Sequence, residues 1–95
     1  MRVRVRLPTQ LRNLADGDSS VDVVIDSTPV TVSSVLDSLA VTHPALERRV
    51  RDETGRTRFH VNLFVDADNI RDLDGVETMI AEGSDVSIIP AISGG

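Results

Sequence analysis

The sequence contains no cysteine, no tryptophan and no tyrosine. Without cysteine there is no disulfide, no thiolate metal site and no thiol nucleophile. Lysine is missing too: all ten basic residues are arginines, so no side chain offers an ε-amine for acylation. Aromatic residues amount to 2% of the chain, Phe59 and Phe64 alone. The core must therefore be made of Val, Ile and Leu, which favour pleated strands. A net charge of −5 argues against a nucleic-acid partner, because such binding draws on phosphate neutralisation. No apolar run reaches membrane-spanning length, and the N-terminus lacks the apolar stretch of a signal peptide. The expectation is a cytoplasmic protein with no membrane partner.

What is present fits one domain over residues 1–95, with 40% of residues hydrophobic. A chain of this size supports one modest core and leaves little room for an internal active site. "MRVRVRLP" alternates strictly, with Met1, Val3, Val5 and Leu7 on one side and Arg2, Arg4 and Arg6 on the other. "VDVVID" resumes the alternation after a turn cluster, so residues 8–20 read as a long hairpin loop. From Thr31, a plausible N-cap, Val32, Val35, Leu36, Leu39 and Ala40 follow the spacing of one buried helical stripe. His43-Pro44 breaks that helix, and "PALERRV" starts a second short one.

"RFHVNLFVD" reads as the strongest strand, with Phe59, Val61, Leu63 and Val65 under the helix and His60, Asn62 and Phe64 outward. "DADN" is a turn, "IRDL" a short edge strand, and "GVETMIAEG" a helical turn closed by Gly83. "DVSIIP" is the last strand, Val86 and Ile88 on one face and Ser87 and Ile89 on the other. The expected architecture is α+β: a mixed sheet of four or five strands with one main helix on one face. Placing the first and last strands side by side at the centre gives the β-grasp (ubiquitin-like) arrangement.

The chain closes with "SIIPAISGG". Pro90 has no N–H for a ladder, so pairing should stop there. Ala91, Ile92, Ser93, Gly94 and Gly95 form a slim, flexible tail able to enter a narrow tunnel, with an unhindered α-carboxylate at the tip. That carboxylate is ionised at neutral pH and is a poor electrophile until activated. Activation by ATP joins two anions and needs cations and metal. This chain has no glycine-rich phosphate loop and no metal-ligand cluster, so that chemistry belongs to a partner. Two glycines alone also fit a frayed terminus; the strand pattern and Pro90 weigh against that.

These residues resemble the ubiquitin-like sulfur-carrier proteins, the ThiS, MoaD and CysO group. The resemblance rests on "VRVRLPTQLR", "TVSSVLDSLAVTHPALERRV", "HVNLFVDADNIRDLDG" and above all "IAEGSDVSIIPAISGG". The loop between "LERRVRDETG" and "RFHVNLFV" is most similar to the CysO type. The resemblance implies a co-substrate rather than an enzyme. A ThiF/MoeB-like enzyme would use ATP to adenylate Gly95, and a sulfur source would displace AMP to leave a thiocarboxylate. The sulfur would then pass to a second enzyme, in the CysO case a pyridoxal-phosphate-dependent cysteine synthase, with a JAMM-type metalloprotease releasing the adduct. No cofactor would be bound by the chain itself. Two alternatives share the tail: a small subunit of molybdopterin synthase (the MoaD role), and a ubiquitin-like protein modifier.

A docking surface is expected on the open sheet face. Phe64, His60 and Ile89 would form an exposed apolar patch near the tail, ringed by Arg4 and Arg6. The competing reading covers Phe64 with a loop and leaves the arginines as solubilising charge. His43 and His60 sit in unlike contexts and read as surface residues, so no metal site is expected. Asp66, Asp68, Asp72 and Asp74 lack calcium-loop spacing. Arg48, Arg49 and Arg51 read as a solvated helix face.

Overall fold

The structure, a computed structural model, describes residues 1–90. Expectations placed on Ile92, Ser93, Gly94 and Gly95, including the flexibility of segment 91–95, lie outside the described residues. The strict alternation at the N-terminus becomes β1 (Arg2–Arg6), its valines buried and its arginines exposed. Antiparallel to it runs β2 (Ser20–Val24), with Val5 opposite Val21 and Arg4 opposite Asp22. The last strand, β5 (Asp85–Pro90), lies parallel to the first, with Val5 opposite Val86. On its other side β5 pairs antiparallel with β3 (Val61–Val65), and a two-residue β4 (Asp68–Asn69) closes that edge. The sheet order is β2-β1-β5-β3-β4, so the terminal strands adjoin and β5 is central, the β-grasp arrangement.

Bringing β5 alongside β1 in parallel requires a crossover, which a hairpin cannot supply. Helix α1 (Val32–Thr42) provides it. Its start is held by a reciprocal cap: the Ser34 N–H donates to Thr31 Oγ1 at 3.2 Å, and the Thr31 N–H donates to Ser34 Oγ at 2.7 Å. Serine here takes the place that Glu or Gln occupies in the usual box. Val32, Val35, Leu36 and Leu39 are buried against the sheet's inner residues, Val3, Val5, Leu63, Val86 and Ile88 among them, in one continuous cluster. Ala40 is only half-buried. His43, before Pro44, leaves the helical region at φ −136° and ψ 66°, and α2 (Pro44–Val50) starts anew with Leu46 and Val50 fully buried.

Four local expectations are corrected. The loop over residues 8–20 holds a 3₁₀ segment, Thr9–Ala15, which tucks Ala15 into the core. "IRDL" is no strand: Ile70–Asp72 is a 3₁₀ turn, and the edge strand falls on Asp68–Asn69, inside the expected turn. Gly75–Glu77 makes one 3₁₀ turn, and Gly83, at φ +89°, leads directly into β5 rather than ending a helix. Arg51 is no solvated residue. Its Nε donates to Glu47 Oε1 at 2.6 Å and an Nη donates to Asp37 Oδ1 at 2.9 Å, tying the end of α2 back to α1. Burial works against its charge, but the hydrogen bonds from Glu47 and Asp37 outweigh burial and raise its pKa.

The inner face carries the stability. Leu63→Ala, which empties a fully buried site beneath α1, should cost about 2–5 kcal/mol in urea unfolding. Thr31→Ala, which removes only the cap, should cost about 1 kcal/mol.

Candidate functional site

The tail leaves from the root that β5 and β3 make together. Val61 opens β3 and pairs with Pro90, the last described residue. At this end of the sheet a cavity of about 180 Å³ lies between Pro8, Leu11 and Arg49 on one side and His60, Val61 and Pro90 on the other. The tail exit is thus bounded by the 3₁₀ segment, α2 and the turn preceding β3.

That turn departs from the period-two pattern. The Val61 N–H donates to the Arg58 carbonyl at 3.0 Å, closing a tight turn over residues 58–61. Phe59 and His60 therefore occupy its two central positions instead of continuing the strand. Phe59, expected under the helix, is 87% exposed. Its ring meets the His60 ring edge-on, with centroids 5.3 Å apart. Val61, Leu63 and Val65 are buried as expected.

On the outer face the structure brings the expected patch only partly together. Phe64 and Arg6 both lie opposite Ser87, so they flank β5 in one row. Ile89 lies opposite Asn62, one diagonal step from Phe64, and is 44% exposed. Phe64 itself is half-buried. His60 is exposed but sits in the turn at the tail root, off the strand.

The arginine ring is not free positive charge. Arg6 Nε lies 2.8 Å from Asp85 Oδ2, and Arg4 Nε lies 4.0 Å from Asp22 Oδ1. These cross-strand pairs are exposed and contribute little stability; Arg6 lies level with Phe64, and Arg4, Asp22 and Asp85 lie two rows farther from Pro90. Asp85 is held in place from behind. Its N–H donates to Asp66 Oδ1 at 3.0 Å, while the Asp66 N–H donates to the Asp85 carbonyl at 2.9 Å. Asp66 adopts φ 53°, a left-handed conformation that aspartate tolerates in turns. Hydrogen bonds from the Asp85 backbone and the Ser84 hydroxyl lower its pKa.

Among the described residues no group of three or more His, Asp or Glu side chains is placed to hold a metal, and no helix is long and apolar enough to cross a membrane. Arg71, which the sequence reading passed over, makes a three-point contact at the head of β3. It donates to Asn62 Oδ1 at 3.0 Å and to the carbonyls of Val61 and Phe59 at 3.1 and 3.2 Å. Nothing in its local sequence marks it, since the contact depends on the fold returning it to residues nine to twelve positions earlier.

A β-grasp domain whose central strand ends in Pro90 beside an open apolar patch has the architecture of the ubiquitin-like proteins. The ThiS family profile matches residues 5–95, and the chain belongs to that family, whose relatives include sulfur carriers and ubiquitin-like modifiers. It is 33% identical over 97 residues to the sulfur carrier protein CysO of Mycobacterium tuberculosis, spanning all of both chains. The crystal structure of that protein superposes with a TM-score of 0.82 at 32% identity, covering 95% of this chain and 99% of the other. A chain of the Amycolatopsis orientalis BexX/CysO complex gives a TM-score of 0.84 at 28% identity, covering 98% and 99%. SAMP1 from Haloferax volcanii gives 0.82 at 29%, covering all of both chains.

The pKa shift at Asp66 carries a sign. A carboxylate whose folded pKa is depressed contributes stability above its unfolded pKa and loses that contribution as pH falls through the folded value. The Asp66 carboxyl should therefore titrate, by carbon-detected NMR, below an aspartate in an unfolded peptide. In Asp66→Asn the acid-side loss of stability should be shallower than in the parent protein.

Proposed function

We propose that this chain is a sulfur carrier acting as a co-substrate, with the Gly95 carboxylate as the reacting group. The observation that carries this reading is the placement of β5. It is paired with β1 from Asp85 to Ser87 and with β3 as far as Pro90, so whatever follows Pro90 continues from a strand anchored in the middle of the sheet. The slim sequence Ala91-Ile92-Ser93-Gly94-Gly95 suits a narrow channel, because its last residues add no side-chain width.

The chemistry follows from the carboxylate. A ThiF/MoeB-like enzyme joins the Gly95 carboxylate to the α-phosphate of ATP, releasing pyrophosphate. A sulfide-level donor then attacks the acyl carbon and AMP leaves, giving a thiocarboxylate. Its sulfur is a far better nucleophile than the carboxylate oxygen and attacks an electrophile held by a second enzyme. A pyridoxal-phosphate-dependent cysteine synthase is the acceptor we favour, because the full-length likeness to CysO is accompanied by the same architecture. A JAMM-type metalloprotease would then release the product. ATP and the sulfur source are handled by the partners, and this chain contributes the terminus and its docking surface. The absence of cysteine and lysine is compatible with this role: no thiol competes for sulfur, and no ε-amine intercepts the activated tail.

Phe64 and Ile89 on the outer face, with His60 at the tail root, supply the apolar contact for the activating enzyme. The pairs of Arg4 with Asp22 and Arg6 with Asp85 supply the polar rim. A protein-modifier role is the second reading, favoured by the full-length likeness to SAMP1. Isopeptide adducts on lysines of other proteins would establish it.

With ATP, an activating enzyme and sulfide, intact-mass analysis should show the mass gain of one oxygen-to-sulfur exchange, located at Gly95. Deleting Gly94-Gly95 should abolish it; an unchanged gain after deletion would refute the carrier role. Phe64→Ala should leave the thermal midpoint near that of the parent and raise the KM of the activating enzyme for this chain. Unaltered kinetics would remove Phe64 from the docking surface.

A further inference from the structure

Phe59 presents a large apolar ring to solvent at the tip of a tight turn, at 87% exposure. Three features distinguish it from a loosely held surface residue. Its carbonyl is fixed by Arg71, and the same guanidinium holds the Val61 carbonyl and the Asn62 side chain. These bonds are charge-assisted and satisfy carbonyls that the sheet leaves unpaired, because β4 pairs only with Phe64 and Val65. The ring is braced edge-on by His60. Its position is tied to the tail: Phe59 lies two residues, at most roughly 7 Å of chain, from Val61, the residue that pairs with Pro90.

Arg71 also caps the bare edge of β3, so strand addition there is blocked and the side chain at the turn tip is what the edge offers. A rigid, desolvation-ready aromatic is the usual energetic centre of a protein interface. We propose that Phe59 is a docking anchor that inserts into an apolar pocket beside the tail channel of the adenylating enzyme, and that Arg71 is the positioning residue that holds it out. The proposal rests on the sulfur-carrier reading. The occupant is chosen by location: an enzyme that admits the tail must close around its root, and Phe59 borders that root. The surface is continuous with the Phe64–Ile89 patch, since Asn62, which Arg71 holds, lies opposite Ile89.

Steady-state thiocarboxylate formation tests this, using the full chain, ATP, sulfide and the ThiF/MoeB-like enzyme of the same organism. Phe59→Ala should raise the KM for this chain roughly tenfold with kcat little changed, the pattern of lost docking. Val41→Ala, which trims another exposed apolar residue on α1, should change neither constant. Arg71→Ala should raise KM by a smaller factor, and should add nothing in the Phe59→Ala background, because it acts through that ring. Arg71→Lys, which keeps the charge but not the fork that holds the Asn62 side chain with one nitrogen and the carbonyls with the other, should behave like Arg71→Ala and covers the case in which the alanine variant fails to fold. A KM for Phe59→Ala within about twofold of the parent would overturn the anchor, since an anchor costs more than that. So would an unchanged KM together with loss of a self-associated form in ultracentrifugation, which would assign the ring to a second copy of the chain. Independent, multiplying effects of the two substitutions would overturn the role of Arg71. A parent protein that gains no sulfur would refute the carrier reading itself, and this proposal with it.

Discussion

The fold is organised around one strand held from both sides. β5 takes parallel bonds from β1 and antiparallel bonds from β3, and its inward residues Val86 and Ile88 lie at the centre of the core. Parallel neighbours cannot be joined by a short turn, so the chain between them must make a covered crossover. That requirement accounts for α1, its capped start at Thr31, and the break at His43 that lets α2 turn back over the end of the sheet. Pro90, the last described residue, pairs with Val61 but has no N–H to give the ladder.

Under the proposed carrier role, a terminus that enters a reaction chamber in another protein gains from a fixed origin, because fewer conformations are lost on insertion. Around the origin the structure gathers an apolar half-face at Phe64 and Ile89, a cavity under Arg49 and His60, and an exposed aromatic turn. The paired charges of Arg4, Asp22 and Asp85 are set farther along the sheet, with Arg6 level with Phe64. Asp66, bonded to the backbone of Asp85, keeps the entry to β5 in register from the opposite end. The entry end of the central strand is thus pinned by a side-chain contact as well as by the ladder.

Membership in the ThiS family and the full-length likeness to CysO agree with what the residues require on chemical grounds. A chain with no thiol and no lysine has few ways of carrying an activated group. A terminal carboxylate is one.

Much was legible in the residues. Alternation over Arg2–Arg6 and over Val86–Ile89, the helical stripe from Val32 to Leu39 and the Pro44 break each depend on near neighbours, and each is where the pattern placed it. One apolar side per element called for a helix over one sheet face; the β-grasp order was a placement this allowed, and the pairing of β1 with β5 is what the structure shows. Phe59, Arg51 and Arg71 were not legible. The alternation that places Val61, Leu63 and Val65 inward predicts the same for Phe59, yet a single hydrogen bond from Val61 to Arg58 turns the chain and sends the ring outward. Arg51 looked solvent-facing because its partner Asp37 is on another helix, and Arg71 looked idle because the groups it binds belong to an earlier strand. Periodicity records which side of an element meets the core. Which carbonyl a distant guanidinium reaches is settled only when the elements are brought together in space.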